Sequence, residues 1–261
     1  MRNAADGWSL AQIEALAASG AFQSRSAFLG IDTTADLTYT ADWPAAGLAK
    51  VGPYALTLTG SWSAPGAIRV HDGTLNINGM TGRSFNLENN SVQVGYDNWT
   101  ASCGILPLTG STAIETTDFG YNRAQPLIGV VTFGSSRGIL TLSDTAFVKG
   151  RLHVGRDGGS AGAVYQTGGV FLNTGGSAAD GRIGESGFGY YEISGGALTN
   201  KGYTQLSHNN GAYGTLRIKG EGHVIQNSGA TPAQGAGGDN PAAYYGGTLG
   251  TRAGYGHFFL S

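Results

Sequence analysis

The segment GYYEISGGALTN, residues 189–200, sets one acid, Glu192, between the aromatic pair Tyr190-Tyr191 and the glycine pair Gly195-Gly196. A carboxylate in that place is either set for chemistry or one solvent-facing residue of a repeated strand. Glycoside hydrolysis needs a second carboxylate at a fixed distance, and many lyases need clustered acids around Ca²⁺. The 17 acids of this chain are dispersed instead. Asp157, Asp180 and Glu185 fall in glycine-rich turns and can approach one another, but turn acids commonly serve the turn itself. His71, His153, His208, His223 and His257 accompany no recognisable Ser or Cys nucleophile motif. His153 is outward in LHVG and His208 lies in the turn SHNNG, so both are expected on the surface. Cys103 is the single cysteine, and no Cys/His cluster has zinc spacing. Glycine runs lead into strands, whereas a phosphate-cradling loop needs a helix to follow. No catalytic residue, metal ligand or cofactor is expected.

The chain must therefore be understood through the elements that position these residues. Glycine accounts for 46 of 261 residues, far above ordinary usage, and charged residues make up only 12%. With 40% hydrophobic residues the chain still has the means to build a core, which excludes a disordered tract. Many short strands joined by tight turns fit that composition. A net charge of −2 gives no reason to expect nucleic acid or an anionic membrane as partner. No apolar run is long enough for a membrane-spanning helix.

A repeat of the form Gly-x-φ-x-φ-x-Gly, with φ apolar, recurs along the chain. The copies are ALTLTG (55–60), GILPLTG (104–110), GILTLSD (138–144), GAVYQTG (162–168), GYYEISG (189–195) and GTLRIKG (214–220). SFNLE (84–88) reads as a weaker copy. The first φ column holds Leu56, Leu106, Leu140, Val164, Tyr191 and Leu216. The second holds Leu58, Leu108, Leu142, Gln166, Ile193 and Ile218. A strand precedes each copy (VQVG, VTFG, LHVG, GRIG, TQLS) and another follows it (AFV, VFL, ALT, HVI). Three short strands per period of about 25 residues predict an all-β chain, a parallel β-helix whose φ columns point inward. Gln166 is the polar intruder, and burial requires its amide to be hydrogen-bonded.

Glu192 then occupies the outward position between two core residues, in a column with Thr57, Pro107, Thr141, Tyr165 and Arg217. Mixed residues of this kind describe a surface. Arg217 stands one repeat away and can pair with Glu192. Tyr165 and Tyr190 are outward too, and flat aromatic faces suit carbohydrate or protein contacts. Tyr165, Tyr190, Glu192 and Arg217 are the candidate binding residues.

The stretch Leu10 to Ser19 reads as the chain's one helix. Ser9 and Gln12 form a capping-box pattern, Leu10, Ile13 and Leu16 or Ala17 share a face, and Gly20 is a natural stop. The expected organisation is an N-terminal cap over 1–40, repeats over 41–228 and an irregular glycine-rich segment over 229–261. The helix is expected to cover the N-terminal opening, where unpaired strand edges invite aggregation.

Residues 47–77, GLAKVGPYALTLTGSWSAPGAIRVHDGTLNI, resemble the passenger-associated repeat of bacterial autotransporters. Gly47, Leu48, Lys50, Gly52, Leu56, Thr57, Leu58 and Gly60 match its first half, and Gly66, Val70, Gly73, Thr74 and Leu75 its second. Tyr54-Ala55 and Thr59 depart from the motif. The later SGGALTN-type stretches resemble the looser β-strand repeats of the same proteins. The resemblance implies a right-handed β-helical passenger, displayed on or released from a bacterial surface as an adhesin or stalk. Its expected partners are host-surface or extracellular carbohydrate or protein. The family's export signal and membrane barrel have no counterpart in this sequence, which suggests a segment of a longer product or another export route. The alternative reading is a carbohydrate-binding or polysaccharide-degrading β-helix protein.

Overall fold

A computed structural model describes residues 2–3, 7–22, 27–44, 46–62, 66–77, 84–86, 92–95, 103–115, 127–130, 137–173, 181–200, 204–226 and 255–261. Among them the chain is mostly strand, with one helix. The strands form a fourteen-stranded sheet and a nine-stranded sheet, and every strand pairing is parallel. In the nine-stranded sheet the strands neighbour one another in chain order, from Leu37–Tyr39 to Tyr255–Leu260. Between two such neighbours the chain visits the other sheet and returns. Parallel pairing without hairpins demands such a detour.

The register reproduces the repeat. Leu106 pairs with Leu140, Leu140 with Val164, Val164 with Tyr191, and Tyr191 with Leu216. Leu108, Leu142, Gln166, Ile193 and Ile218 form the second ladder. Both ladders point inward and are buried except at Ile218, which is half-buried. Gln166 is buried and satisfied: its Nε2 donates to the carbonyls of Gly169 and Ala197, each at 3.1 Å. Its Oε1 accepts from the Tyr191 hydroxyl at 2.7 Å. The two exceptions in the φ columns are thus partners.

Corners depend on backbone freedom. Gly155 and Gly184 have φ of 63° and 75°, and a Cβ on either would lie 2.2 Å from a carbonyl oxygen of the nine-stranded sheet, that of Phe188 or Tyr213. Ser207 takes the equivalent place one turn later with φ of 60°. Phe147–Val154 is long enough to turn a corner unbroken: its first half pairs with Val170–Asn173 and its second with Gly181–Ile183.

Two expectations change. Ser84–Asn86 belongs to the fourteen-stranded sheet, beside Ala113–Glu115. The missing copy of the repeat is Gly73–Asn76, where Leu75 pairs with Leu56 and Gly73 with Gly104. Its short loops compress the period, which hides it from a search at 25 residues. VTFG at 131–134 lies outside the described residues; Leu127–Val130, just before it, is a strand. The segment expected to be irregular over 229–261 contains the strand Tyr255–Leu260, with Gly256 opposite Gly214 and Phe258 opposite Leu216.

The helix spans Leu10–Ala18 with the capping box formed: Gln12 N donates to Ser9 Oγ and Ser9 N to Gln12 Oε1. Gly20 follows with φ of 72°. Ile13 and Ala17 are buried in the same apolar cluster as Leu29, Tyr39 and Leu56.

Candidate binding site

Along each strand of the nine-stranded sheet, alternate residues leave the core. Their stacking in register builds three outward columns. One runs Cys103, Arg137, Ala161, Phe188, Tyr213. The next runs Ile105, Ile139, Ala163, Tyr190, Thr215, His257. The third runs Pro107, Thr141, Tyr165, Glu192, Arg217, Phe259. The four candidate residues therefore share one face on three successive strands.

Glu192 is held from several sides. The Tyr190 hydroxyl donates to its Oε2 at 2.7 Å, Lys219 Nζ lies 2.6 Å from Oε1, and Arg217 lies 3.5 Å from Oε2. Lys219 first, then the Tyr190 hydroxyl, keep this carboxyl below the usual glutamate range. A general acid needs a raised value, so the geometry fits a clamp on neighbouring strands. The expected partner Arg217 is present, and Lys219 is the closer one. Tyr165 and Tyr190 pack at 5.7 Å between ring centroids.

Phe188 and Tyr213, which sequence reasoning did not single out, are the more exposed rings. They stack at 4.9 Å with planes 5° apart, and Phe188 is 53% exposed. Their position was visible in principle, since each immediately precedes a repeat glycine. Beside them Ala161 and Ala163 leave a shallow cavity of about 360 Å³, walled by Phe188, Tyr190, Arg137 and Ile139.

The outward side of the fourteen-stranded sheet differs. Gln93, His153 and Gln205 are buried there, as is His208, so the expectation of surface histidines at 153 and 208 fails. His153 is outward in register, yet it packs beneath Glu185, whose Oε2 lies 2.5 Å from its Nδ1. Arg182 bonds the other carboxylate oxygen. Burial holds His153 below its usual value. Glu185 also sits low, because His153 and Arg182 together outweigh a burial that alone would raise it. The neutral ring donates from Nδ1, and its Nε2 is buried with no partner among the described residues. Glu185 meets His153, and Asp180 lies outside the described residues.

Lys50 gives a motif residue a physical role. It is fully buried, and its Nζ donates to the carbonyls of Val51, Gly52 and Asp72 at 3.0, 2.7 and 2.9 Å. Burial pulls its pKa down to about 8, against Asp72 and Asp32. Gly52 and Gly73, with φ of 83° and 67°, make the corners around it. The two halves of the motif are consecutive layers: Leu48 pairs with Ile68, and Leu56 with Leu75.

Among the described residues, no group of three or more His, Cys, Asp or Glu is placed to hold a metal ion, and no helix is long and apolar enough to cross a membrane. No family model matches the chain, and no curated protein or solved structure is found to be similar to it.

Proposed function

We propose that the chain is a right-handed parallel β-helix of about 25-residue coils, a passenger-type segment displayed on or released from a bacterial surface, acting as adhesin or stalk. The observation that carries this reading is the strand register: each repeat pairs in parallel with its counterpart one turn on. A stack of this kind extends by adding turns, which suits a stalk, and it presents long flat faces, which suit adhesion. The autotransporter-like motif adds support, because its Gly52 and Gly73 occupy corners with positive φ and its buried Lys50 bonds the corner carbonyls. In this reading the helix Leu10–Ala18 covers the N-terminal end of the stack.

The aromatic face favours carbohydrate binding as a second reading. The degrading form of that reading has no comparable support, since Glu192 is an occupied clamp. The reading assigns no catalysis and no cofactor.

Display supplies the test. The chain is fused between an export signal and an outer-membrane barrel, and intact cells are treated with protease. A folded, protease-resistant passenger is expected, and adherence to immobilised glycans or host cells above barrel-only cells distinguishes adhesin from stalk. A passenger that reaches the surface only as a protease-labile chain would overturn the proposal.

A further inference from the structure

The stack of rings on the nine-stranded sheet stops abruptly. Tyr213 and Phe188 lie in one column, and the next residue in that column is Ala161. Their 4.9 Å separation is about one strand spacing. The face of Phe188 turned away from Tyr213 therefore looks over a place where a third ring would sit, and only a methyl group is there. The second column does the same, since Ala163 follows Tyr190. The strand Ala161–Gln166 is thus low at Ala161 and Ala163, between taller residues on both sides, and rises again at Tyr165. The slot spans two strand spacings, about 9.6 Å, so one inserted ring would lie about 4.8 Å from each wall.

The far wall carries charge. Arg137 is exposed, and among the described residues its guanidinium has no ion-pair or hydrogen-bond partner. The other cations of this face are engaged, since Arg217 and Lys219 both reach Glu192. An aromatic wall, a floor of methyls and glycine backbone, and an unanswered guanidinium define the ligand. It needs a ring with an apolar face and a carboxylate at its edge. A purely apolar side chain would leave Arg137 unanswered.

We propose that this slot binds one uronate- or sialate-type sugar ring of an acidic glycan, its C–H face on Phe188 and its carboxylate on Arg137. The proposal rests on reading this face as the adhesive one. Sugars with a planar array of axial hydrogens stack well on aromatic faces, and a guanidinium matches a carboxylate with two parallel hydrogen bonds.

The whole chain is titrated calorimetrically with oligogalacturonate, a hyaluronan oligomer and sialyllactose, each beside its carboxyl-reduced neutral form. At least one acidic probe is expected to bind, and its neutral form to bind roughly tenfold more weakly. Phe188→Ala and Arg137→Gln should each cost roughly tenfold. Ala161→Trp should abolish binding, because the indole fills the vacant place. Unchanged melting of each variant separates these effects from unfolding. Absence of binding by all three acidic probes overturns the proposal. So does binding that Ala161→Trp leaves intact, or equal affinity for the neutral form. In that last case the adhesive reading of the face survives, whereas failure of surface display would sink the passenger reading and leave the binding measured on the whole chain standing.

Discussion

The outward surfaces of the two sheets solve the same problem in opposite ways. Both are built from residues that alternate with a continuous apolar core. On the fourteen-stranded sheet the outward places at 93, 153 and 205 hold polar side chains that are nevertheless buried. On the nine-stranded sheet the outward places at 165, 188 and 213 hold aromatic rings that are exposed. Ordinary solvation predicts the reverse of both. Buried polar groups survive where they satisfy one another, as His153, Glu185 and Arg182 do. Exposed, contiguous aromatics have no such internal reward, and patches of that kind mark contact surfaces. One side of the stack is closed by its own chemistry, and the other presents its rings to solvent.

The sharpest way to break this comparison is to remove Glu185. Glu185→Ala leaves Arg182 and His153 without their shared carboxylate in a mostly buried place, and a broken pair of that kind costs about 3–5 kcal/mol. The low end is expected, because Arg182 keeps 17% of its side chain in solvent. Urea denaturation checks this, and a loss below about 1 kcal/mol would show that the cluster is an ordinary surface pair.

Acid sharpens the same contrast without mutation. Burial depresses the pKa of His153 in the folded state, so below its ordinary value of about 6.5 the unfolded chain binds the proton more readily. Stability contributed by the neutral ring is present above that value and is lost as pH falls. Glu185 is depressed too, so its contribution is present above the ordinary glutamate range and is lost at still lower pH. Urea midpoints measured from pH 7.5 down to 5 should decline, and His153→Gln should flatten that decline. A decline that His153→Gln leaves unaltered would place the titrating group elsewhere.

Inside the stack the effect of a polar edit should be intermediate. Tyr191→Phe keeps the ring against Phe171, 6.5 Å away between centroids, and removes the hydroxyl that donates to Gln166. The Gln166 oxygen then loses its 2.7 Å donor in a buried site, at a cost of about 1–3 kcal/mol. Replacing both members, Tyr191→Phe with Gln166→Leu, should recover much of that loss. A double variant no better than the single would mean that packing, and not the hydrogen bond, sets the cost.

How much of this was legible follows from what repeats. The alternation in GILTLSD or GYYEISG states which side chains enter the core, because period-two patterning and glycine corners are local features. Gln166 could be recognised as a buried amide from its column alone. The layer at Gly73–Asn76 escaped because its loops are short. The strand at Tyr255–Leu260 escaped because a long glycine-rich stretch separates it from its neighbour. The burial of His153 and Lys50 was not legible either. A histidine in LHVG has the pattern of a surface residue, and its cover comes from Glu185, 32 positions away. Lys50 sits in an inward place, and only the corner carbonyls it reaches make that tolerable. Of the slot, Tyr190 was identified by its column, whereas Ala161 and Ala163 carry no signal until the rings beside them are known.

The smallest effect belongs to Glu192, although it has three partners. Its side chain is 16% exposed, while those of Arg217 and Lys219 are 42% and 37% exposed. Removing the carboxylate lets both cations and the Tyr190 hydroxyl turn to water, which replaces most of what they lose. Glu192→Ala should therefore change stability by under about 1 kcal/mol, and raised salt should shrink the difference further. The contrast with Glu185 is the informative quantity, because both are glutamates that meet an arginine, Glu192 on a strand and Glu185 in the turn after Gly181–Ile183. If burial decides their value, the two variants separate in urea and only the Glu192 difference responds to salt. Equal losses in the two would mean that the open face is held together as tightly as the closed one, and the distinction between the two surfaces would fall.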